Sequence, residues 1–584
     1  DGGSNDGGNN DGANNDATNN DATNNDTTDD GLCERDEHVS SGACAPCAAG
    51  SFNDAGDDPL GSDTRCELTR CAADERVERN ACVACPEGLT NDSGDNAAGV
   101  DTFCDDACTA AVGVRCAEFE QAYVKASNTG ANDRFGHSVA IDGHTMVVGA
   151  PEEDSNARAI GGDEANNRVP NTGAVYVFTR SGTTWTQQAY IKASSLGLED
   201  NFGWSVSVSG DTLAVGTPYE DSAATGIDSA DANNDANHSG AVWIFTRSGT
   251  TWSQEAYIKA SNTDVFDGFG TQVALDGDTL AVGAPGEDSY ATTVDGDQTD
   301  NAGTTVGAAY IFTRSGTTWS QQAYLKASNS GFHDRFGFSV AVDGDTAVVG
   351  AWGEGSNASS VDGDQADNSA TSSGAAYVFV RSGTSWSQQA YIKASNSDAN
   401  DHFGWSVAIS GDTLAVGAPS EDSSFAGVGA VQTNNDRVES GAVYVFVRSG
   451  ATWSQEAYVK ASTVGSPDLF GMALALRGDT LVVSATNEHS NAVGLNGDEA
   501  NDDAAGSGAV YVFDRAGATW TQAAYIKASN TDAGDSFGTS VSLDGKTFVV
   551  GALLEDSKAT GVGGDQTSDD MAGAGAAYVR MLGP

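Results

Sequence analysis

The dipeptide Phe-Gly recurs at Phe135, Phe202, Phe269, Phe336, Phe403, Phe470 and Phe537, each 67 residues from the last. A fixed period of that length marks a repeat architecture, in which units too small to bury an apolar face alone stack on their neighbours. Other residues keep the period. Trp185, Trp252, Trp319, Trp386, Trp453 and Trp520 do so, as does the Lys of an Ala-Tyr-Xaa-Lys-Ala-Ser segment, seven times from Lys125 to Lys527. The repeats fill residues 118–584.

Each copy reads as four strands, in the first copy Phe135 to Ile141, Thr145 to Ala150, Gly173 to Arg180 and Trp185 to Ala193. Asp142-Gly143 joins the first two as a tight turn that needs positive φ, and its Gly recurs in every copy. No segment has helical periodicity. Four-stranded units repeated radially make a propeller, so the expected fold is all-β, a seven-bladed β-propeller of antiparallel blades. The phase of the repeat predicts its closure. The last copy ends at its third strand, Ala576 to Met581, while Phe119 to Ser127 matches a fourth strand with no blade before it. Pairing the two leaves the ring without an open edge.

The Phe-Gly start together with Val-Gly-Ala-Pro at Val148 to Pro151, Val282 to Pro285 and Val416 to Pro419 resembles the FG-GAP repeat of integrin α-subunit propellers and their bacterial relatives. The resemblance spans residues 118–584 and implies an extracellular adhesion or recognition head. The integrin-type calcium loop, Asp-Xaa-Asp-Xaa-Asp-Gly between the first two strands, is missing. That place holds only Asp142-Gly143, or Asp276-Gly277-Asp278 in the third copy, so the family's calcium ligands do not carry over to it.

Two segments precede the repeats. Residues 31–117 form a cysteine-rich stem, where Cys33, Cys44, Cys47 and Cys66 recur 38 residues on as Cys71, Cys82, Cys85 and Cys104, followed by Cys108 and Cys116. An even count in a small loop-rich segment reads as a disulfide framework. Zinc is the alternative, since Cys44/Cys47 and Cys66/Cys71 approach ribbon spacing. The Cys-Xaa-Xaa-Cys-Xaa-Xaa-Gly pattern loosely resembles cysteine-rich repeats of ephrin-receptor and tumour-necrosis-factor-receptor type. Residues 1–30 are an Asp/Asn-rich low-complexity tail without a large apolar side chain, and they read as a disordered charged spacer whose Thr residues could carry glycans.

The chain carries 83 acidic and 28 basic side chains, a net charge of −55. Such a surface repels a phosphate backbone, which excludes nucleic acid as partner. It also disfavours anionic membrane surfaces. No run of about 18 apolar residues spans a bilayer. The start at Asp1 fits a processed, secreted chain or an excised piece of a longer one.

In an up-and-down blade the second-to-third-strand loop and the segment leading into the next blade share a face. The seven such loops, Pro151 to Thr172 in the first copy, hold 33 acidic and 4 basic residues. Two acidic series recur in phase near this face. Asp133, Asp200, Asp267, Asp334, Asp401, Asp468 and Asp535 precede Phe-Gly, and Glu153, Glu220, Glu287, Glu354, Glu421, Glu488 and Glu555 follow the second strand. Their structural reading is a turn-capping Asp and a Glu that accepts hydrogen bonds or pairs with a neighbouring blade. Their functional reading is calcium held between blades. A second calcium candidate lies within the loops, at Asp295, Asp297, Asp300 and Asn301 and at Asp362, Asp364, Asp367 and Asn368. Poorer versions hold Asp163, Asp498 with Asp502, and Asp565 with Asp569. Crowded like charges repel unless a cation neutralises them, and solvated acidic loops are the plain alternative.

The seven His do not recur in phase, and no nucleophile elbow, zinc-protease or phosphate-loop motif is present, so no enzyme is expected. The expected function is a secreted or cell-surface protein that binds a glycan or protein through the acidic loop face, with calcium as the candidate cofactor. The alternative is a structural subunit of an extracellular filament or coat, assembled from copies of itself. Salt adaptation would also account for the charge.

Overall fold

In the computed structural model the described residues are 119–583, apart from Leu196 and residues 230–233, together with eight short strands between Glu37 and Asp106. The chain divides into two units, Asp1–Thr109 and Ala110–Pro584. In the first, four strand pairs form: Glu37–Ser40 with Ala43–Pro46, Ser51–Phe52 with Glu67–Leu68, Glu75–Glu78 with Ala81–Ala84, and Leu89–Thr90 with Asp105–Asp106. The second two pairs repeat the first two at the 38-residue offset of the cysteines. The tail and the bonding of the ten cysteines lie outside the described residues.

The second unit is a seven-bladed propeller of four-stranded antiparallel sheets. Blade one is Ser138–Asp142, Thr145–Ala150, Ala174–Ser181 and Thr184–Ile191, in that spatial order. The first strands neighbour one another around the whole ring and therefore lie innermost. Blade seven joins the first and last strands of the repeat region, because Phe119–Val124 pairs antiparallel with Ala576–Met581 as its fourth strand. The strand stops at Val124, short of the expected Ser127, because Lys125 turns inward to Glu555.

Two sequence signals acquire a physical cause here. Phe135 is fully buried and meets Tyr176 and Phe178 edge-on, at ring distances of 5.3 and 6.3 Å. Burying such a ring contributes about 1.5–3 kcal/mol. The first strand begins at Ser138 rather than Phe135, because Arg134 (φ 55°) and Gly136 (φ 91°) turn the backbone to drive the Phe ring inward. The Gly of Val-Gly-Ala-Pro serves blade packing. A Cβ on Gly149 would lie 2.1 Å from the Gly203 carbonyl oxygen of the next blade. Blade six carries Ser484 there, and its hydroxyl accepts a bond from the Ala473 amide at 2.9 Å. In blades six and seven the first strand begins at the Phe itself, with irregular pairing at its start.

Blades are joined on both faces. On the loop face the bonds are main-chain: Phe202 donates to the Thr172 carbonyl and Asn201 to the Asn171 carbonyl, both at 3.0 Å, and the other blades repeat the pattern. On the hairpin face the fourth-strand Trp donates to the preceding blade, Trp252 Nε1 to Gln188 at 2.8 Å, while Arg247 lies over the same indole and pairs with Asp211 at 2.7 Å.

Candidate functional site

The repeated Glu series is internal. Glu153 is completely buried, and its Oε2 accepts from Lys192 Nζ at 2.7 Å. Its Oε1 accepts from Tyr190 at 3.0 Å and from Asn128 at 2.9 Å. The same Lys–Glu pair holds Glu220, Glu287, Glu354, Glu421, Glu488 and Glu555, at 2.6 to 2.9 Å. The in-phase Lys series thereby has its role, as the cation of each buried pair.

The repeated Asp series caps a turn. Asp133 accepts from the Gly130 amide at 2.8 Å, Asp267 from Asp264 at 2.8 Å and Asp401 from Asp398 at 2.9 Å. All seven are buried. Burial pushes Asp133, Asp200 and Asp334 up to about 7, Asp267, Asp401 and Asp535 to about 8, and Asp468 to about 6, and the neighbouring ring Glu adds to the rise.

These shifts fix a pH dependence. Each Asp holds its proton more tightly folded than unfolded. Its contribution to stability is full below about pH 4 and is lost as pH rises through the folded values. The melting temperature is expected to fall between about pH 4 and about pH 8. Asp267→Asn keeps the turn and removes one titration. It should raise the melting temperature at the higher pH and leave the lower nearly unchanged, as calorimetry of the two proteins would report. Equal slopes in both would contradict this.

The loop carboxylates, exposed apart from the half-buried Asp300, turn toward nearby backbone. Asp297 accepts from the Thr299 amide, Asp364 from Ala366, Asp163 from Ala165, Asp498 from Ala500 and Asp565 from Thr567, at 2.9 to 3.1 Å. Asp300 accepts from Tyr290 and Ala302, and Asp367 from Ser369. Asp295 and Asp362 each cap a fourth-strand Tyr amide at 3.0 Å, and Asn496 makes the same bond in blade six, so this position does not need a charge. Asn301 donates to Asp264, and Asn368, Asp502 and Asp569 are exposed. Among the described residues no three His, Cys, Asp or Glu side chains converge on a point that could hold a metal. Calcium would need several of these oxygens on one centre, whereas Asp297 and Asp300 each bond nearby amides.

Among the positions that the blades do not share, one lies at the start of the innermost strand on this face. The residue after Phe-Gly is His137, Trp204, Thr271, Phe338, Trp405, Met472 or Thr539 in turn. Two aromatic groups result. His137 stacks on Trp204 at 4.5 Å, Trp204 meets Tyr219 at 5.2 Å, Tyr219 meets His238 at 5.0 Å, and His238 meets Phe266 at 5.5 Å. Across blades four and five, Phe338 lies 4.7 Å from Trp405, and Trp352 contacts both His402 at 4.9 Å and Trp405 at 5.5 Å. Arg335 lies over Trp352 at 4.9 Å. Most of these rings are half-buried, while Phe266 is 60% exposed. Burial lowers His137 to about 4, so its ring is neutral, and its Nδ1 faces the Trp204 carbonyl at 3.1 Å and must be the protonated nitrogen. Trp352 is visible in the sequence as a departure, standing where copies one, two, three and five have Pro; the other rings do not recur in every copy and so keep no period.

The FG-GAP repeat pattern matches the chain seven times, at residues 119–178, 185–245, 252–312, 319–379, 386–446, 453–513 and 520–579. The chain belongs to the FG-GAP repeat family. Each FG-GAP match starts in a fourth strand and runs through three strands of the following blade, one strand out of step with the blade. No curated protein matches the chain. Among the described residues no helix is long and apolar enough to cross a membrane.

Proposed function

We propose that the propeller is an extracellular recognition or adhesion head that binds a protein or glycan through its loop face, with the aromatic groups around Trp204 and Trp405 at the centre of contact. One observation carries this. The seven blades keep their buried Lys–Glu pairs, and six keep the hairpin-face Trp and Arg, yet they differ at inner positions of the loop face. A role in holding the ring would repeat around it, and a role in recognising something need not. FG-GAP propellers are typical of non-enzymatic adhesion proteins, which supports a binding role and an extracellular location. Half-buried Trp and Tyr rings offer large contact area with little side-chain freedom to lose.

The test is binding of the full chain to glycan and protein arrays at fixed high ionic strength, with calcium or with chelator. Trp204→Ala and Trp405→Ala should each weaken the main hit by about tenfold or more, the scale of a lost anchor residue. The separated loop carboxylates lead us to expect equal binding and equal melting temperature with and without calcium. Ligands held equally by wild type and both variants would remove the aromatic groups from the reading.

A further inference from the structure

Blade six departs from its neighbours in one buried detail. In blades one, three, four, five and seven the third-strand Tyr donates to an Asn in the segment leading into the blade. The pairs are Tyr176–Asn128, Tyr310–Asn262, Tyr377–Asn329, Tyr444–Asn396 and Tyr578–Asn530, at 2.5 to 2.6 Å. The Asn also donates to the ring Glu, as Asn329 does to Glu354 at 2.9 Å. Blade two lacks both partners, having Ser195 and Trp243 in their places. Blade six keeps the Tyr, as Tyr511, and has Thr463 for the Asn.

Thr463 turns away and donates to Glu499 at 3.2 Å. Tyr511 holds its place, edge-on to Phe470 at 5.4 Å and beside Tyr525 at 5.3 Å, and is only 1% exposed. Its hydroxyl is left without a hydrogen-bond partner, and Tyr511 lines a cavity of about 270 Å³ between blades five and six. A ligand in the cavity would give this hydroxyl a partner.

The walls define the ligand. Glu488 is neutralised by Lys527 at 2.7 Å. That leaves Asp468, Glu499 and Asp502 facing Arg437 and His489, an excess of negative charge. A metal is not favoured, because the acidic side chains do not converge. The volume is several times the about 30 Å³ of a water molecule and below the about 300 Å³ where drug-sized pockets begin. An ammonium group brings three donors and a positive charge to separated carboxylates and a phenol oxygen. We propose that this cavity binds a small organic cation through a primary ammonium group. The inference stands whether or not the aromatic groups carry recognition.

The experiment is calorimetric titration of 1,4-diaminobutane into the full chain at fixed high ionic strength, with butan-1-ol and calcium chloride as controls. Wild type should show one saturable site for the diamine and none for the alcohol. Thr463→Asn restores the arrangement of five other blades and fills the cavity. It should weaken binding by about tenfold or more, the scale of one charged hydrogen bond, while keeping or raising the melting temperature. Tyr511→Phe should weaken it as well. Absence of a saturable site would overturn the proposal. So would equal binding by Thr463→Asn, which would mark the diamine as a counterion of the acidic face. Calcium binding with the same variant sensitivity, in place of the diamine, would overturn it in favour of a metal.

Discussion

Removing residues 110–125 from the propeller is expected to abolish cooperative unfolding of the ring. Blade seven would lose its fourth strand, and the edge of Ala576–Met581 would stand open to pairing with other chains. The cut also removes Lys125 and Tyr123, which hold Glu555 at 2.6 and 2.7 Å in a fully buried site. An uncompensated buried charge alone costs about 3–5 kcal/mol, much of the stability of an ordinary domain. Size-exclusion chromatography should show aggregates in place of a sharp monomer or oligomer peak. A synthetic peptide of residues 118–128 added during refolding should restore part of the native peak by supplying the missing strand. A shortened chain that melts like the intact one would show that closure contributes little.

The second large effect is at a single blade. Lys192→Met should lower stability by about 3–5 kcal/mol, because Glu153 would remain buried without its cation. The paired change Lys192→Met with Glu153→Gln should recover most of that loss, since a buried pair replaced as a unit is often neutral. Denaturant unfolding of wild type, both single variants and the double variant closes the cycle. Additive losses would mean that the pair does not act as a unit.

The period of 67 carried the fold because every blade repeats the same solution to burial. The Phe that fills a blade, the Gly that lets blades approach and the closing strand are all in phase, and position in the repeat was enough to place them. Local backbone was less legible. Nothing in Arg134-Phe135-Gly136 distinguishes a strand start from a turn with two positive φ angles. The acidic residues carried two readings in the sequence, and burial separates them for the repeated series. Repetition marks what the ring needs, so Glu153 and Asp133 emerge as buried scaffold. Whether Asp297 and Asp300 converge depends on side-chain direction, and both turn to nearby amides. The residues that differ between blades are single events, so no period points to them. The absence of a partner for Tyr511 is visible only once the Asn that occupies its site elsewhere, 48 residues earlier in the chain, is known to touch it.

The seams on the loop face have a consequence for how such a protein can change. Each is made by main-chain groups, and the carbonyls accepting from successive blades belong to Asn171, His238, Thr305, Ser372, Glu439 and Gly506. Five different side chains and a glycine stand on one repeated bond. The seam therefore does not read side-chain identity, and substitutions there pass without disturbing neighbouring blades. A chain of this kind can acquire a new binding specificity by successive point mutations, with the ring as an unaltered platform beneath them.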